Sequence, residues 1–189
     1  MPTKYYFDNA ATTPVREEVL QEILPYFREY YGNASSIYSI AKESKKALEA
    51  ARAKVAAAIG ATPDEIYFTA GGSESDNMAL RGVVNASKKE KKHIITTKIE
   101  HHAILHTAEF LETKGVDVTY LNVDEFGKIS LEELENAIRP ETVLISVMFA
   151  NNEIGTIQPI AEIAEIAKKH GVLFHTDAVP VSYTHLTLP

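Results

Sequence analysis

There is no cysteine among the 189 residues. That excludes disulfides, thiolate metal sites and thiol catalysis from this chain. No apolar run approaches the roughly 20 residues that span a bilayer. The start, MPTKYYFDNA, lacks the apolar core of a signal peptide. Positive charge is also scarce: 19 Lys and Arg against 26 Asp and Glu leave a net charge of −7. A nucleic-acid surface would be basic. Neither a GxxxxGKS/T phosphate loop nor a GxGxxG fingerprint occurs, which tells against ATP and dinucleotides. What is present is ordinary for a globular chain. Hydrophobic residues make up 45% and charged residues 24%, with length enough for one domain and a sizeable core. The expectation is a cytoplasmic enzyme or binding domain, with no membrane and no nucleic-acid partner.

Periodicity organises the chain. YYFDNAATTP reads as an extended arm ending at Pro14, and a helix is predicted from about Val15 to Tyr30 with Val19, Ile23 and Phe27 on one face. After the loop YYGNASSIYS, Ser39 is the predicted cap of a helix carrying Leu48, Ala51, Val55 and Ala58, which Gly60 stops. From there strands and helices alternate. EIYFTA, HIITT, VDVTYLNV, TVLISVMF and VLFHTD read as strands. SESDNMALRGVVNAS, AILHTAEFLETKG, LEELENAI and IAEIAEIAKKHG read as helices, the second stopped by Gly115. This alternation predicts a three-layer α/β domain with a mostly parallel sheet. No internal repeat, low-complexity segment or linker interrupts it.

Ligands of such sheets gather beyond the carboxyl ends of the strands. There the sequence places GGSES, then Lys98 to His101, then Asn151, Asn152 and Glu153, then Thr176 and Asp177. GGSES opens a helix, and free N–H groups at a helix start suit a phosphate. The plain alternative is a turn in which Ser73 caps the helix and Glu74 favours its dipole. Asp177 ends an apolar strand, where an unpaired charge is costly. A protonated ring nitrogen of a cofactor would satisfy it, and so would a salt bridge to Arg or Lys. His101 suits stacking on a flat ligand and proton transfer near neutral pH. His102 and His106, at i, i+4, imitate a zinc pattern but lack its glutamate spacing, and read as ordinary helix histidines with no metal. Asn151 and Asn152 offer amides to a hydroxyl or carboxylate, or serve a turn, with Glu153 holding the loop down.

Together FDNAATTPV, FTAGGSESDN, TTKIEHHAIL, VMFANNEIGTIQPI and FHTDAV resemble the N-terminal half of a cysteine desulfurase of the iron–sulfur-assembly type. Such enzymes belong to the pyridoxal-phosphate aminotransferase class V family. The motifs keep order and spacing from about residue 5 to 179. The resemblance implies part of the large domain of a fold-type I pyridoxal-phosphate transferase. It implies cofactor phosphate at Gly72 and Ser73, ring stacking and proton transfer at His101, a contact of Asn152 with the cofactor's phenolic oxygen and the substrate carboxylate, and pairing of Asp177 with the pyridinium nitrogen. The implied reaction converts L-cysteine to alanine, leaving a persulfide on an enzyme cysteine for a sulfur-acceptor scaffold protein. The implied assembly is a homodimer.

The departures are as specific. Three residues after Asp177 the family usually has Gln, and this chain has Pro180. The lysine that binds the cofactor covalently, the substrate-binding arginine, the persulfide cysteine and the small C-terminal domain match nothing in this sequence. VSYTHLTLP resembles a translated sequencing adapter, so residues 1–179 are expected to be the native arm and large-domain segment and 180–189 a non-native tail. The chain by itself is expected to be inactive. A selenocysteine lyase or another class V aminotransferase would share many of these motifs, and a non-catalytic relic domain would keep them without using them.

Overall fold

The computed structural model describes residues 5–7, 9 and 12–179. The readings of Pro180 and of the tail lie outside the described residues. The chain divides into two compact units, one running to Phe68 and one beginning at Thr69.

The first unit holds α1 (Glu17–Arg28) and α2 (Ser39–Ile59). α1 is two residues shorter at each end than its periodicity suggests, and none of its residues is buried. Its predicted apolar face is exposed, Phe27 by 75%. In α2 the cap is Tyr38, without a side-chain hydrogen bond, and Ser39 is the first helical residue, so the predicted serine cap does not form. Gly60 ends the helix with φ 70°, a left-handed conformation that costs glycine nothing. EIYFTA is not a strand. Pro63–Glu65 forms a single 3-10 turn, and Ile66 to Thr69 follow without ladder bonds. Its β-propensity is high, but a strand needs a neighbour, and among the described residues no strand pairs with it. Tyr67 is left 73% exposed. The Arg52 guanidinium donates to the Ile66 carbonyl and lies 4.9 Å from the Phe68 ring centre.

The second unit alternates as predicted: α3 (Gly72–Ala86), β1 (His93–Thr97), α4 (His102–Glu112), β2 (Asp117–Leu121), α5 (Leu131–Ala137), β3 (Thr142–Ser146), α6 (Ile160–His170) and β4 (Leu173–His175). The four strands pair in parallel in the order β2-β1-β3-β4. β1 and β3 are central and buried at every position, which is why they read as continuous apolar or β-branched runs. Successive side chains feed opposite layers. Ile94 and Leu144 join Leu80, Val84, Ile104 and Ala108 beneath α3 and α4. Ile95 and Ile145 join Leu134, Ile163 and Ala167 beneath α5 and α6. This is the three-layer α/β arrangement expected. His93, buried at the start of β1, bonds Thr142 Oγ1 at 2.8 Å and Thr119 Oγ1 at 2.9 Å through its two ring nitrogens. It is a core histidine at the end of the sheet away from the loops described next.

Candidate active site

The strand order turns back between β1 and β3, because β2 lies on one side of β1 and β3 and β4 on the other. Crevices of this kind bind ligands in open α/β sheets. Two side chains close the end of this one. Glu100 Oε1 accepts the Thr97 hydroxyl at 2.7 Å and the Met148 N–H at 3.0 Å, joining the ends of β1 and β3. Asn151 Nδ2 donates to the Ile99 carbonyl at 3.0 Å, while Asn151 Oδ1 accepts the N–H groups of Glu153 and Ile154 at 2.9 and 3.0 Å. So the loop after β3 is held by Asn151, and the exposed Glu153 enters through its backbone rather than as the tie expected of it.

His101 follows directly and caps α4: its Nδ1 accepts the Ala103 N–H at 3.2 Å. That bond fixes the ring and leaves Nε2 as its outward nitrogen. His102 and His106 stack on the helix surface with ring centres 5.2 Å apart. Both are exposed, as ordinary helix histidines would be. A cavity of about 360 Å³ brings His101 together with Ser73, Asn77 and Arg81. A neighbouring cavity of about 310 Å³ brings His101 together with Asn152, which is exposed. Ser73, His101 and Asn152 are thereby gathered at one end of the sheet.

Among the described residues no side chain caps α3. Its cap is Gly71, in extended backbone, and the predicted cap Ser73 lies inside the first turn. Glu74 reaches back instead, accepting the Ala70 N–H at 2.6 Å. The start of α3 therefore keeps unfilled donors and the positive end of the helix dipole. Gly72 has a packing reason as well: a Cβ there would stand 2.8 Å from Val179 Cγ2.

Asp177 is 7% exposed. Its Oδ1 accepts the Val179 N–H at 2.9 Å, and its carbonyl accepts the Phe149 N–H at 2.8 Å, anchoring the turn after β4 to the end of β3. Among the described residues no lysine or arginine pairs with it. The salt-bridge alternative is thus unmet there. Two further buried carboxylates stand near it: Asp76, 3% exposed, and Glu100, 5% exposed. Burial, reinforced by the Asp177 charge, pushes Asp76 up to about 7. Burial also pushes Glu100 up to about 7, against the pull of its bonds from Met148 and Thr97. Among the described residues Asp76 Oδ2 and Glu100 Oε2 have no hydrogen-bond partner. A buried region this rich in carboxylate and this poor in cations fits a positively charged guest group. Beside it, the open start of α3 fits an anionic one.

Asp76 was not singled out from the sequence. Its signal is the stripe Asp76, Leu80, Val84 at i, i+4, i+8, which is the buried face of α3. A carboxylate in line with two core residues is the mark that apolar counting passes over.

The aminotransferase class-V family profile matches residues 5–186. A protein named cysteine desulfurase IscS from Methanosarcina thermophila is 61% identical over 174 residues, covering 92% of this chain and 43% of that protein. Among solved structures, a NifS-like protein superposes with a TM-score of 0.89 at 44% identity, over 92% of this chain and 48% of its own. One described as SspA in complex with cysteine superposes equally well, at 0.89 and 44%, over 92% of this chain and 50% of its own. The chain thus spans about half the length of these relatives. With the family profile matching nearly the whole chain, the chain belongs to the aminotransferase class V family.

Proposed function

We propose that this chain is the cofactor-binding part of a pyridoxal-phosphate-dependent cysteine desulfurase. The carrying observation is Asp177, buried at the carboxyl edge of the sheet without a cationic side chain among the described residues, beside the uncapped start of α3. A pyridoxal phosphate group has a basic ring nitrogen and a phosphate, and the two features complement those two ends. Identity with cysteine desulfurases of the class and the cysteine-bound relative support L-cysteine as substrate.

In this reading Gly72 and Ser73 hold the phosphate through backbone N–H groups. Asp177 holds a proton on the ring nitrogen, because its charge favours the cationic form. His101 lies against the ring and moves protons through Nε2, since Nδ1 is engaged with Ala103. Asn152 presents its amide to the phenolic oxygen and the substrate carboxylate. When bound, the cofactor supplies the electron sink for breaking the carbon–sulfur bond. The product would be alanine, with sulfur left as a persulfide on a cysteine outside this sequence and passed to a scaffold protein of iron–sulfur assembly. The apolar residues exposed along α1, Val19, Ile23, Leu24 and Phe27, are consistent with a homodimer or a further domain covering them. Among the described residues no helix is long and apolar enough to cross a membrane, and a cytoplasmic location is part of the same reading.

The test uses the full-length protein that carries this segment. Asp177→Asn should weaken pyridoxal phosphate binding, measured by fluorescence titration, by about 2–5 kcal/mol, roughly 30- to 5,000-fold, the range for removing one member of a buried charge pair. Alanine should form from L-cysteine in the unsubstituted protein. Undiminished affinity in the variant, or no alanine, would overturn the reading.

A further inference from the structure

The roles above leave Asp76 unused, although it is the most buried acid of the site. It projects from the core-facing stripe of α3. Asp76 Oδ1 lies 3.7 Å from His175 Nε2. The other ring nitrogen of His175, Nδ1, is 2.9 Å from Ser146 Oγ. His175 ends β4, two residues before Asp177, so α3, β3 and β4 meet at this point. The charged and titratable groups facing Asp76 are Asp177 and His175 from the β4 side and Glu100 from the loop after β1. None is a lysine or arginine.

Two ionised carboxylates side by side in so buried a place repel each other strongly. One proton on the Asp76–His175 pair removes the conflict. Placed on Asp76 it leaves a neutral acid and a neutral ring. Placed on His175 it leaves an internally neutral ion pair. Both arrangements have zero net charge. Burial depresses His175 below the usual histidine range, only partly offset by Asp177, which favours the first arrangement.

We propose that Asp76 is a positioning residue: with His175 it retains one proton on the buried face of α3, so that Asp177 alone carries the negative charge offered to a protonated ring nitrogen. The inference rests on the cofactor reading for its last clause. The retained proton itself does not. Asn at position 76 imitates the neutral acid in shape and charge, whereas Leu removes the polar group.

The experiment compares the unsubstituted full-length protein with Asp76→Asn, Asp76→Leu and Asp177→Asn between about pH 5.5 and 8.5, the window around the raised carboxyl. The first readout is the melting temperature without ligand. A proton held by the folded state and shed by the unfolded one makes stability fall as pH rises toward about 7 and level off above it. Asp76→Asn should flatten part of that fall. If its profile matches the unsubstituted protein, the proton is not held at Asp76 and the proposal is overturned, whatever binds. The second readout is deoxypyridoxine phosphate, which lacks the aldehyde, so binding needs no lysine. Its ultraviolet band reports whether the ring nitrogen is protonated. In the unsubstituted protein affinity should rise as Asp76 ionises, by about tenfold per unit of coupling. Asp76→Asn should bind the protonated ring with that rise abolished, and Asp177→Asn should bind the neutral ring. A neutral ring in Asp76→Asn would mean that Asp76 is itself the partner, which also overturns the proposal. Absence of binding in the unsubstituted protein refutes the cofactor reading, and with it the positioning clause, while the melting profile still decides where the proton is. Asp76→Leu separates shape from charge: it should flatten the pH profile as Asn does and, unlike Asn, weaken probe binding at every pH. Equal binding by Asn and Leu would refute the positioning role.

Discussion

Glu100 gives the sharpest quantitative test of the site's electrostatics. Its carboxyl is raised from 4.5 to about 7. The folded state therefore keeps a proton that the unfolded state sheds between those two values. Stability attributable to this group is highest below pH 4.5, falls as pH climbs to about 7, and is flat above. At about 1.4 kcal/mol per unit, the full fall is about 3 kcal/mol. Glu100→Gln removes the charge and keeps an oxygen where Oε1 accepts from Thr97 and Met148. It puts an amide nitrogen where Oε2 now lacks a partner, a cost of about 1 kcal/mol or somewhat more. The net expectation is a gain of about 1–2 kcal/mol at pH 8 and a small loss at pH 5.5, from those same two terms. Glu100→Ala also removes the charge, but strands the Met148 N–H and the Thr97 hydroxyl, about 1–3 kcal/mol each. Urea unfolding at both pH values, with unchanged m, measures these differences. The residual pH slope in the Gln variant combines the fall from Asp76 with the opposing rise from His93 and His175. If Gln keeps the whole slope, or costs as much as Ala at pH 8, the account of Glu100 as a half-protonated clamp between β1 and β3 is wrong.

His93 should tilt stability the other way. Burial lowers it to about 4, so the folded state sheds a proton that the unfolded state holds, and stability falls as pH drops from 6.5 toward 4. His93→Gln should flatten that acid limb in melting experiments. Asn151→Ala removes one donor and one doubly used acceptor; a loss of about 2–3 kcal/mol is expected, with faster amide exchange at Glu153 and Ile154. Ile145→Ala empties a fully buried position in the central strand and should cost about 2–5 kcal/mol in urea midpoint terms. Amides of Tyr67 and Phe68, outside any ladder, should exchange far sooner than those of Ile94 to Thr96, and equal protection would show that EIYFTA is paired after all.

Much of this architecture was legible because it is local. Gly60 stops its helix at positive φ, as its position in the pattern suggests, and Gly115, also at positive φ, closes the turn that follows α4. The alternation from HIITT to VLFHTD yields the parallel sheet, since buried strands and amphipathic helices differ in period. EIYFTA failed for the complementary reason. Its residues favour a strand, but pairing depends on a neighbour that propensity cannot supply. Ser39 failed as a cap by one position and Ser73 by two, offsets that helix periodicity does not resolve.

By itself, then, the sequence determined the elements from HIITT onward, the layers they form and the polar groups at those strand ends. His101, Asn152 and Asp177 could be picked out because residues following a strand at the carboxyl edge have few apolar duties. Only the tertiary structure decided how those groups act on one another. It showed that Asn151 turns inward to hold the loop while Asn152 faces out, and that Glu100 clamps two strands. It also set Asp76 and His175 beside Asp177, from elements a hundred residues apart in the chain. The physical reason is that charge interacts through distance and burial, and neither quantity exists until α3 has packed on the sheet.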